Sequence, residues 1–411
     1  MTGNWWLFTL FLFVLGAGTR QVELLLVGLL LALIGGTSLL WARYCLYGVS
    51  YQRRFNTTRL FHGDELDLSL EIVNAKPMPL AWLIAVDDFP SDLTLLTGEW
   101  LASGRSHRRL LVNSVSLRWY ERVTRHYRLL GVRRGVWEFG PAQLSSGDIF
   151  GFAITRQPQT TTQTIIVYPR YVAITKLGLP SLHPFGEFKT PRRLIDDPLQ
   201  LRGARSYAPG DSFRHIHWKA SARRRDLQTK VFEPSASRPL AIFLDSRTAE
   251  FANEGIDRDL MELGVTVAAS IAHWGWQAGQ PTGVFANASL RSNGQRLRLP
   301  PKNHPTQFQE ILEALAWMAE DGQWRMNTIV SLEAKSLPLG TTLVVVTALV
   351  NGRLLQTLHD LQRQGFGVTL VTVGDWRSRQ RDSDDLVIAD VRHYEIAGEL
   401  WHEVERLELA Q

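Results

Sequence analysis

Residues 240–245 read Leu-Ala-Ile-Phe-Leu-Asp, an unbroken apolar run that ends in an acidic residue. Such a run, without polar alternation, is typical of a strand buried on both faces in a parallel sheet covered by helices. Apolar residues at helical spacing follow between Leu260 and Trp274, and Gly283–Phe285 is a second short apolar run. This order of strand, helix and strand predicts an α/β domain with an open, mostly parallel sheet and helices on both faces.

The alternation continues to about residue 373. The later predicted elements are a helix over Phe308–Met318 with Pro305 in its first turn, a strand over Leu343–Thr347, a helix over Leu354–Leu361 that ends at Gly365, and a strand over Val368–Val373. Sheets of this kind bind ligands beyond the carboxyl ends of their strands. Asp245 occupies such an end and is therefore a candidate site residue.

Upstream of this domain lies a basic segment, Leu201–Glu233. From Arg202 to Lys230 it holds eight Lys or Arg residues against two Asp, with His215, His217 and Trp218 among them. Its Pro-Gly-Asp at 209–211 predicts a turn, because Pro fixes φ and Gly permits a positive φ. A short helical turn over Ala220–Arg224 and an extended stretch over Leu227–Phe232 are expected to follow.

Three interpretations of the basic segment compete. Its charges form a solvated face with Asp211 paired to an arginine, or Arg and Trp bind a phosphate or nucleic acid, or the patch binds a protein partner. His215 and His217 would share a face in a strand, but two histidines without a third ligand make a poor metal site. The composition favours a structural role combined with partner contact.

Between Tyr51 and Pro169 short runs alternate with turn residues. Leu66, Leu68, Leu70 and Ile72 recur at every second position, which is typical of a half-buried strand. Further strands are predicted over Leu80–Val86, Arg125–Leu130 and Gly135–Phe139, with a turn at Asp148-Ile149-Phe150-Gly151. The region is predicted to be an antiparallel sandwich or barrel.

The N-terminus predicts a transmembrane hairpin. Two uncharged stretches, Trp5–Ala17 with its flanks and Leu24–Ala42, are each about 19 residues long, close to the thickness of a hydrocarbon core. A cleaved signal peptide is the competing interpretation, but no basic region precedes the first stretch and a second follows at once. Basic residues follow the second stretch, from Arg43 to Arg59, so the positive-inside rule places the soluble region in the cytoplasm, at the plasma membrane.

Composition sets weaker bounds. The 411 residues favour two or three domains, and 45% hydrophobic residues indicate a globular chain. A formal net charge of +5 is too small to indicate a nucleic-acid partner and fits a protein beside anionic lipid equally well. The single cysteine, Cys45, permits no intrachain disulfide.

The basic segment and the strand after it resemble the DUF58 family of membrane-anchored prokaryotic proteins, whose C-terminal part is similar to a von Willebrand factor A domain. The residues that carry the resemblance are Tyr207, Gly210, Asp211, Arg214, His217, Trp218, Lys219, Ala222 and Arg223, followed by Asp245. The domains then expected are two transmembrane helices (1–48), a β-rich domain (49–170), a linker with the basic motif (171–237) and a von Willebrand A-like α/β domain (238–411).

The resemblance implies a partner rather than a reaction. The expected partner is a MoxR-type AAA+ ATPase, with the protein acting as an adaptor in the assembly or maturation of other proteins. Many von Willebrand A domains bind a divalent cation through Asp-x-Ser-x-Ser after the first strand, together with a later Thr and Asp. Here Asp245 matches the first position, whereas Arg247 and Ala249 replace the serines, so the cation site is expected to be degenerate and no cofactor is expected. Asp245 should instead pair with Arg247 or accept backbone hydrogen bonds.

Three functional hypotheses follow from the sequence. The favoured one is the membrane-tethered adaptor, with no catalytic constellation found. The second is a metal-dependent or hydrolytic enzyme that uses Asp245 with His215 or His217. The third is binding of an anionic ligand by residues 202–230, with steep salt dependence.

Overall fold

The computed structural model describes residues 5–149, 151, 153–174, 196–208, 216–234, 239–249, 255–376 and 391–396. The chain divides into two compact units, Met1–Arg170 and Tyr171–Gln411. Each unit has a hydrophobic core of its own.

The first unit begins with two helices, α1 (Trp5–Thr19) and α2 (Val22–Tyr44). They pack against each other in antiparallel directions, and a Cβ at Gly28 of α2 would lie 3.3 Å from the ring of Phe13 in α1. The 23 residues of α2 are long and apolar enough to cross a membrane, whereas α1 has only 15 residues. The predicted helices are confirmed, and their arrangement as two membrane spans stays a prediction.

Among the described residues of the first unit, twelve strands follow. They are Val49–Phe55 (β1), Arg59–Leu60 (β2), Glu65–Asn74 (β3), Leu80–Pro90 (β4), Thr94–Leu95 (β5), Leu101–Ala102 (β6), Arg108–Leu117 (β7), Arg122–Leu130 (β8), Gly135–Phe139 (β9), Ala142–Gly147 (β10), Ile154–Gln159 (β11) and Gln163–Val167 (β12). They form three sheets with the orders β1-β3-β8-β5, β11-β10-β4-β7-β6 and β2-β12-β9. The sandwich-like arrangement of these sheets confirms the predicted β-rich region.

The apolar residues that alternate along β3, as predicted, form part of the core of this region. Leu66, Leu68, Leu70 and Ile72 in β3 are all fully buried, while Asp67 between them faces solvent. Of the turn predicted at 148–151, the structure describes Asp148, Ile149 and Gly151, which lie between β10 and β11. Asp148 Oδ1 accepts a hydrogen bond from Ala153 N at 2.8 Å.

A buried ion pair joins two of these sheets. Arg53 of β1 donates from Nε and Nη2 to both carboxylate oxygens of Asp87 in β4, at 2.6 and 2.9 Å. The Tyr51 hydroxyl donates to the same carboxylate, and Arg53 Nη1 donates to the carbonyl of Thr161. Both charges of the pair are therefore satisfied inside the protein, as a buried pair requires.

The second unit contains a β-hairpin with a short helix and a six-stranded sheet. Its elements are Asp196–Ser206 (β13), Trp218–Arg224 (α3), Gln228–Pro234 (β14), Leu240–Leu244 (β15), Arg258–Gln277 (α4), Thr282–Ser289 (β16), Arg296–Lys302 (β17), Gln307–Trp317 (α5), Met326–Ala334 (α6), Thr342–Thr347 (β18), Gly352–Arg363 (α7), Gly367–Val373 (β19) and Arg392–Ile396 (β20). The sheet order is β17-β16-β15-β18-β19-β20, parallel except for β17 at one edge.

Helices cover both faces of this sheet. On one face α4 lies close to β15, since a Cβ at Gly275 would come within 2.6 Å of Leu240. On the other face Phe243 packs in a cluster with residues of α6 and α7, such as Ile329 and Leu358. The predicted α/β domain with helices on both faces is confirmed.

Two sequence predictions need correction here. Pro305 was expected in the first turn of a helix, but α5 begins at Gln307 after Thr306. The edge strand β17 ends at Lys302, and Pro305 lies in the turn that connects this strand to α5. His217 was considered as a strand residue, but it lies outside β13 and β14 and precedes α3.

Candidate functional site

Asp245 follows the last residue of β15, at the carboxyl edge of the parallel strands. Its side chain is buried together with Ser246, Asn287 of β16 and Thr347 of β18. The parallel register brings these residues together, because β15 pairs with both β16 and β18. A polar cluster therefore occupies the edge at which α/β sheets bind ligands.

Three donors meet the Asp245 carboxylate. Oδ1 accepts from Asn287 Nδ2 at 2.6 Å and from the backbone N of Arg247 at 3.0 Å. Oδ2 lies 3.0 Å from the hydroxyl of Thr347. Burial raises the pKa of this carboxyl above its usual value of 3.8, and the hydrogen bonds from Arg247, Thr347 and Asn287 oppose that rise.

Arg247 and Ala249 occupy the positions where a von Willebrand A domain would carry serines. Their surroundings differ from those of a cation site. Arg247 runs close to Gly322, whose added Cβ would come within 2.6 Å of Arg247 Cγ. A cation bound at Asp245 Oδ1 would face the N–H groups of Asn287 and Arg247, which repel positive charge. Within the described ranges, no group of three His, Cys, Asp or Glu side chains could hold a metal ion. This donor set fits a buried carboxylate and does not fit a divalent cation.

Asn287, which connects the cluster, was not among the residues predicted from the sequence. Its Oδ1 accepts from both the backbone N and the hydroxyl of Ser246, at 2.8 and 3.0 Å. Its Nδ2 also lies 3.0 Å from the carbonyl of Trp324. The available signal was an amide residue inside the otherwise apolar run of β16, a position that requires buried partners.

In the described part of the basic segment, hydrogen bonds hold α3 against the β13–β14 hairpin. His217 is the N-cap, and its Nδ1 accepts from Ala220 N at 3.2 Å. The Ser221 hydroxyl donates to the carbonyl of His217 and accepts from Gln228 N of β14 at 2.8 Å. These contacts give His217 and Ser221 structural roles that hold α3 against the hairpin. Arg225 ends the helix in the left-handed region, with φ of 55°.

The remaining motif side chains of α3 face solvent. Trp218 is 68% exposed, and Lys219, Ala222, Arg223 and Arg224 are also exposed. Lys219 and Arg223 are four residues apart and therefore lie on one face of the helix. We call Trp218, Lys219, Arg223 and Arg224 the α3 patch. An exposed tryptophan beside three cations is able to stack on, and pair with, a partner's planar and acidic groups.

Tyr207 lies at the end of β13, and its backbone N donates to the carbonyl of Leu227 at 2.8 Å. Gly210, Asp211, Arg214 and His215 lie outside the described residues. Ala249 is half-buried, two residues beyond Arg247. The structure therefore separates the sequence-derived site residues into a buried cluster at Asp245 and an exposed patch on α3.

Comparison with known proteins connects these features to a family. Residues 203–380 match the family model described as "Protein of unknown function DUF58". A curated relative, the uncharacterized protein YeaD of Bacillus subtilis, is 28% identical over 287 residues, which is 67% of this chain. The chain spans 64% of the length of that relative.

Solved structures overlap smaller parts of the chain. The CARDB domain of the PF1109 protein from Pyrococcus furiosus covers 29% of this chain and 86% of its own, with 6% identity and a TM-score of 0.20. A cohesin module from Clostridium perfringens covers 29% of this chain and 96% of its own, with 10% identity and a TM-score of 0.21. Such low scores carry no conclusion about activity.

Proposed function

Because the chain is a DUF58 family protein, we propose that it is a membrane-anchored adaptor that works with a MoxR-type AAA+ ATPase in the assembly or maturation of other proteins. The observation that carries this proposal is the α3 patch, in which the side chains that could bind a partner are exposed while His217 and Ser221 hold the helix. Arg and Trp are the residue types most enriched at binding hot spots.

Membrane anchoring is supported by the way α2 joins the soluble part. The carbonyl of Ala42, in its last turn, accepts from the Thr155 hydroxyl of β11 at 2.6 Å. A helix that hydrogen-bonds to a folded domain is part of that domain's structure, which is not expected of a cleaved signal sequence. We infer an arrangement in which both helices cross the plasma membrane and the soluble region faces the cytoplasm, following the basic residues that succeed α2.

The adaptor role is favoured over an enzyme by the state of Asp245. Its two oxygens already accept hydrogen bonds from three groups of the protein. A catalytic carboxylate needs an oxygen within hydrogen-bond reach of the substrate. A metal-dependent or hydrolytic reaction at Asp245 would require this cluster to be rebuilt.

The experiment is affinity purification of the full-length protein from gently crosslinked membranes, followed by identification of bound ATPases. The wild type should retain an AAA+ ATPase of the MoxR type, and a combined Trp218→Ala and Arg223→Ser variant should lose most of it. Leu339→Ala is the matched control, because Leu339 is 65% exposed and lies outside the α3 patch. Absence of any such ATPase with the wild type would overturn the adaptor proposal.

Anionic-ligand binding is a second candidate, favoured by the exposed run Arg223, Arg224 and Arg225. It predicts that a single-stranded oligonucleotide binds the protein in neutral-lipid nanodiscs, with affinity that falls steeply as salt rises. Changing the three arginines to serine should abolish that binding. Salt-insensitive binding, or none, would reject this candidate and leave the adaptor.

A further inference from the structure

The end of α2 is fixed to the β-rich region by buried polar contacts. Lys76, in the turn between β3 and β4, donates from Nζ to the carbonyls of Cys45 and Tyr47 at 2.6 and 2.8 Å. Cys45 is fully buried, and Leu46 joins the same core. The point at which α2 leaves the β-rich region is therefore defined by the fold.

Three loops lie at this same end of the β-rich region. Strand register places the β3–β4 turn beside the start of β1, since Val49 pairs with Asn74. It places the β7–β8 turn beside the start of β4, since Leu80 pairs with Leu117. The β10–β11 turn is at this end too, because Ser146 pairs with Leu83 of β4. Lys76 of the β3–β4 turn and Thr155 beside the β10–β11 turn contact the end of α2, and Tyr120 of the β7–β8 turn contacts Lys76.

Two of these loops present large apolar side chains to solvent. Trp119 and Tyr120 occupy the β7–β8 turn, and Ile149 and Ile154 flank the β10–β11 turn; all four are more than half exposed. Tyr120 has φ of 51°, a conformation usually left to Gly or Asn, and its backbone N donates to the carbonyl of Lys76. We call Trp119, Tyr120, Ile149 and Ile154 the apolar tip.

The charges around the apolar tip are mainly basic. Arg43 at the end of α2, Arg118 beside Trp119 and Arg156 beside the β10–β11 turn are exposed. The acidic Asp148 is buried and accepts from Ala153 N. Glu121 accepts from the backbone N of Arg118. An apolar surface with aromatic rings and a basic rim matches the headgroup layer of an anionic bilayer.

We propose that the apolar tip is a second membrane contact, which inserts into the headgroup layer of anionic lipid beside the point where α2 leaves the bilayer. This inference rests on the proposed membrane anchoring by α2. The lipid surface is the favoured occupant because α2 is fixed at this end and would hold the tip at the level of the membrane surface. The β-rich region then lies against the membrane.

The test uses the full-length protein in nanodiscs that contain phosphatidylglycerol, with Cys45→Ala as the common background. Spin labels are attached to cysteines introduced as Trp119→Cys and Ile154→Cys. Leu101→Cys is the matched control, because Leu101 and Ile154 are 54% and 56% exposed. Leu101 pairs with Leu110, seven residues from Leu117 along β7, or about 24 Å toward the opposite end. Leu33→Cys in the middle of α2 reports on the anchor.

Power saturation with oxygen and with a water-soluble nickel chelate measures the depth of each label. Labels at 119 and 154 should shift toward oxygen access and lose nickel access relative to 101, and the label at 33 should shift further. If the label at position 33 lies deep in the bilayer while those at 119 and 154 behave like the one at 101, the proposed membrane contact of the apolar tip is wrong. Membrane anchoring by α2 is then still supported. If 33 is also solvent-exposed, the anchoring itself is wrong. If the labels at positions 119 and 154 are shielded from both oxygen and the nickel chelate, the apolar tip contacts a protein partner instead of lipid. That result would overturn the inference.

Discussion

Arg53 and Arg54 are adjacent in β1, yet their side chains are 3% and 65% exposed. Arg53→Ala should lower the free energy of unfolding by about 3–5 kcal/mol, because the buried Asp87 carboxylate loses its cation. Arg54→Ala removes an exposed arginine from the buried Glu71, which keeps its ion pair with Arg122, and should cost less than about 1 kcal/mol. Thermal unfolding of the two variants in one detergent measures the difference, and equal losses would contradict the assigned roles.

Asp245 offers a test of why a carboxylate occupies the strand end. Asp245→Ala should cost about 1–3 kcal/mol, because the N–H groups of Asn287 and Arg247 lose their buried acceptor. Asp245→Asn should cost clearly less, because its amide oxygen still accepts from both groups and its NH₂ can donate to the Thr347 hydroxyl. Unfolding of the purified variants measures both losses. An Asp245→Asn loss as large as that of Asp245→Ala would mean that the negative charge itself is needed.

The titration of Asp245 also makes the stability of the folded protein depend on pH. Burial raises the pKa of the Asp245 carboxyl in the folded protein above 3.8, so the folded state binds this proton more readily than the unfolded chain. The stability contributed by this group is complete below pH 3.8 and declines as pH rises through the folded-state pKa. When the free energy of unfolding is measured as a function of pH, Asp245→Asn should lack that decline, while Arg54→Ala should retain it.

At the scale of elements, Lys76 controls the joint between α2 and β1. Its ammonium donates to two carbonyls at the end of the helix, and Cys45, the only cysteine of the chain, is buried beneath it. Lys76→Met should speed maleimide labelling of Cys45 about tenfold or more, since a hydrogen bond to a charged group contributes about 1.5–3 kcal/mol to local closure. Lys219→Met changes an exposed lysine and should leave the rate unchanged. An unchanged rate in Lys76→Met would show that the joint is held by packing alone.

Element types were predictable wherever the apolar pattern was simple. The run at 240–244 matches β15 residue for residue, and the period-two pattern in β3 gave its buried face. The edge strand β17 was missed because its sequence RLRLPPK is polar and carries two prolines. The nine-residue α6 was missed because it is short and has no side-chain N-cap. In both elements tertiary contacts outweigh local preference.

The candidate sites were predictable only in part, for a similar reason. Asp245 could be named from the strand that precedes it, but its partners Asn287 and Thr347 lie 42 and 102 residues further along the chain. Such contacts depend on strand order, which hydrophobic periodicity does not contain. The N-cap role of His217 is local, yet histidine is not among the usual N-cap residues, so the pattern gave no signal for it.

At the scale of the whole molecule, the two units should unfold as separate transitions. Each has its own core, and domains of this kind fold as units. Calorimetry of the full-length protein should therefore show that Arg53→Ala lowers one transition and Asp245→Ala lowers the other. A single transition that both variants lower equally would mean that the units unfold together.

The Lys76 joint also has a mechanical consequence. With the end of α2 held by Lys76 and Thr155, the helix and the β-rich region rotate together rather than about a flexible linker. β4 spans 11 residues, or about 36 Å at about 3.3 Å per residue. A change of about 10° in helix tilt, well inside the range that bilayer thickness imposes, would then swing the far end of this lever arm by about 6 Å. If α2 spans the bilayer as proposed, lipid thickness sets the distance between the membrane and the far end of the β-rich region.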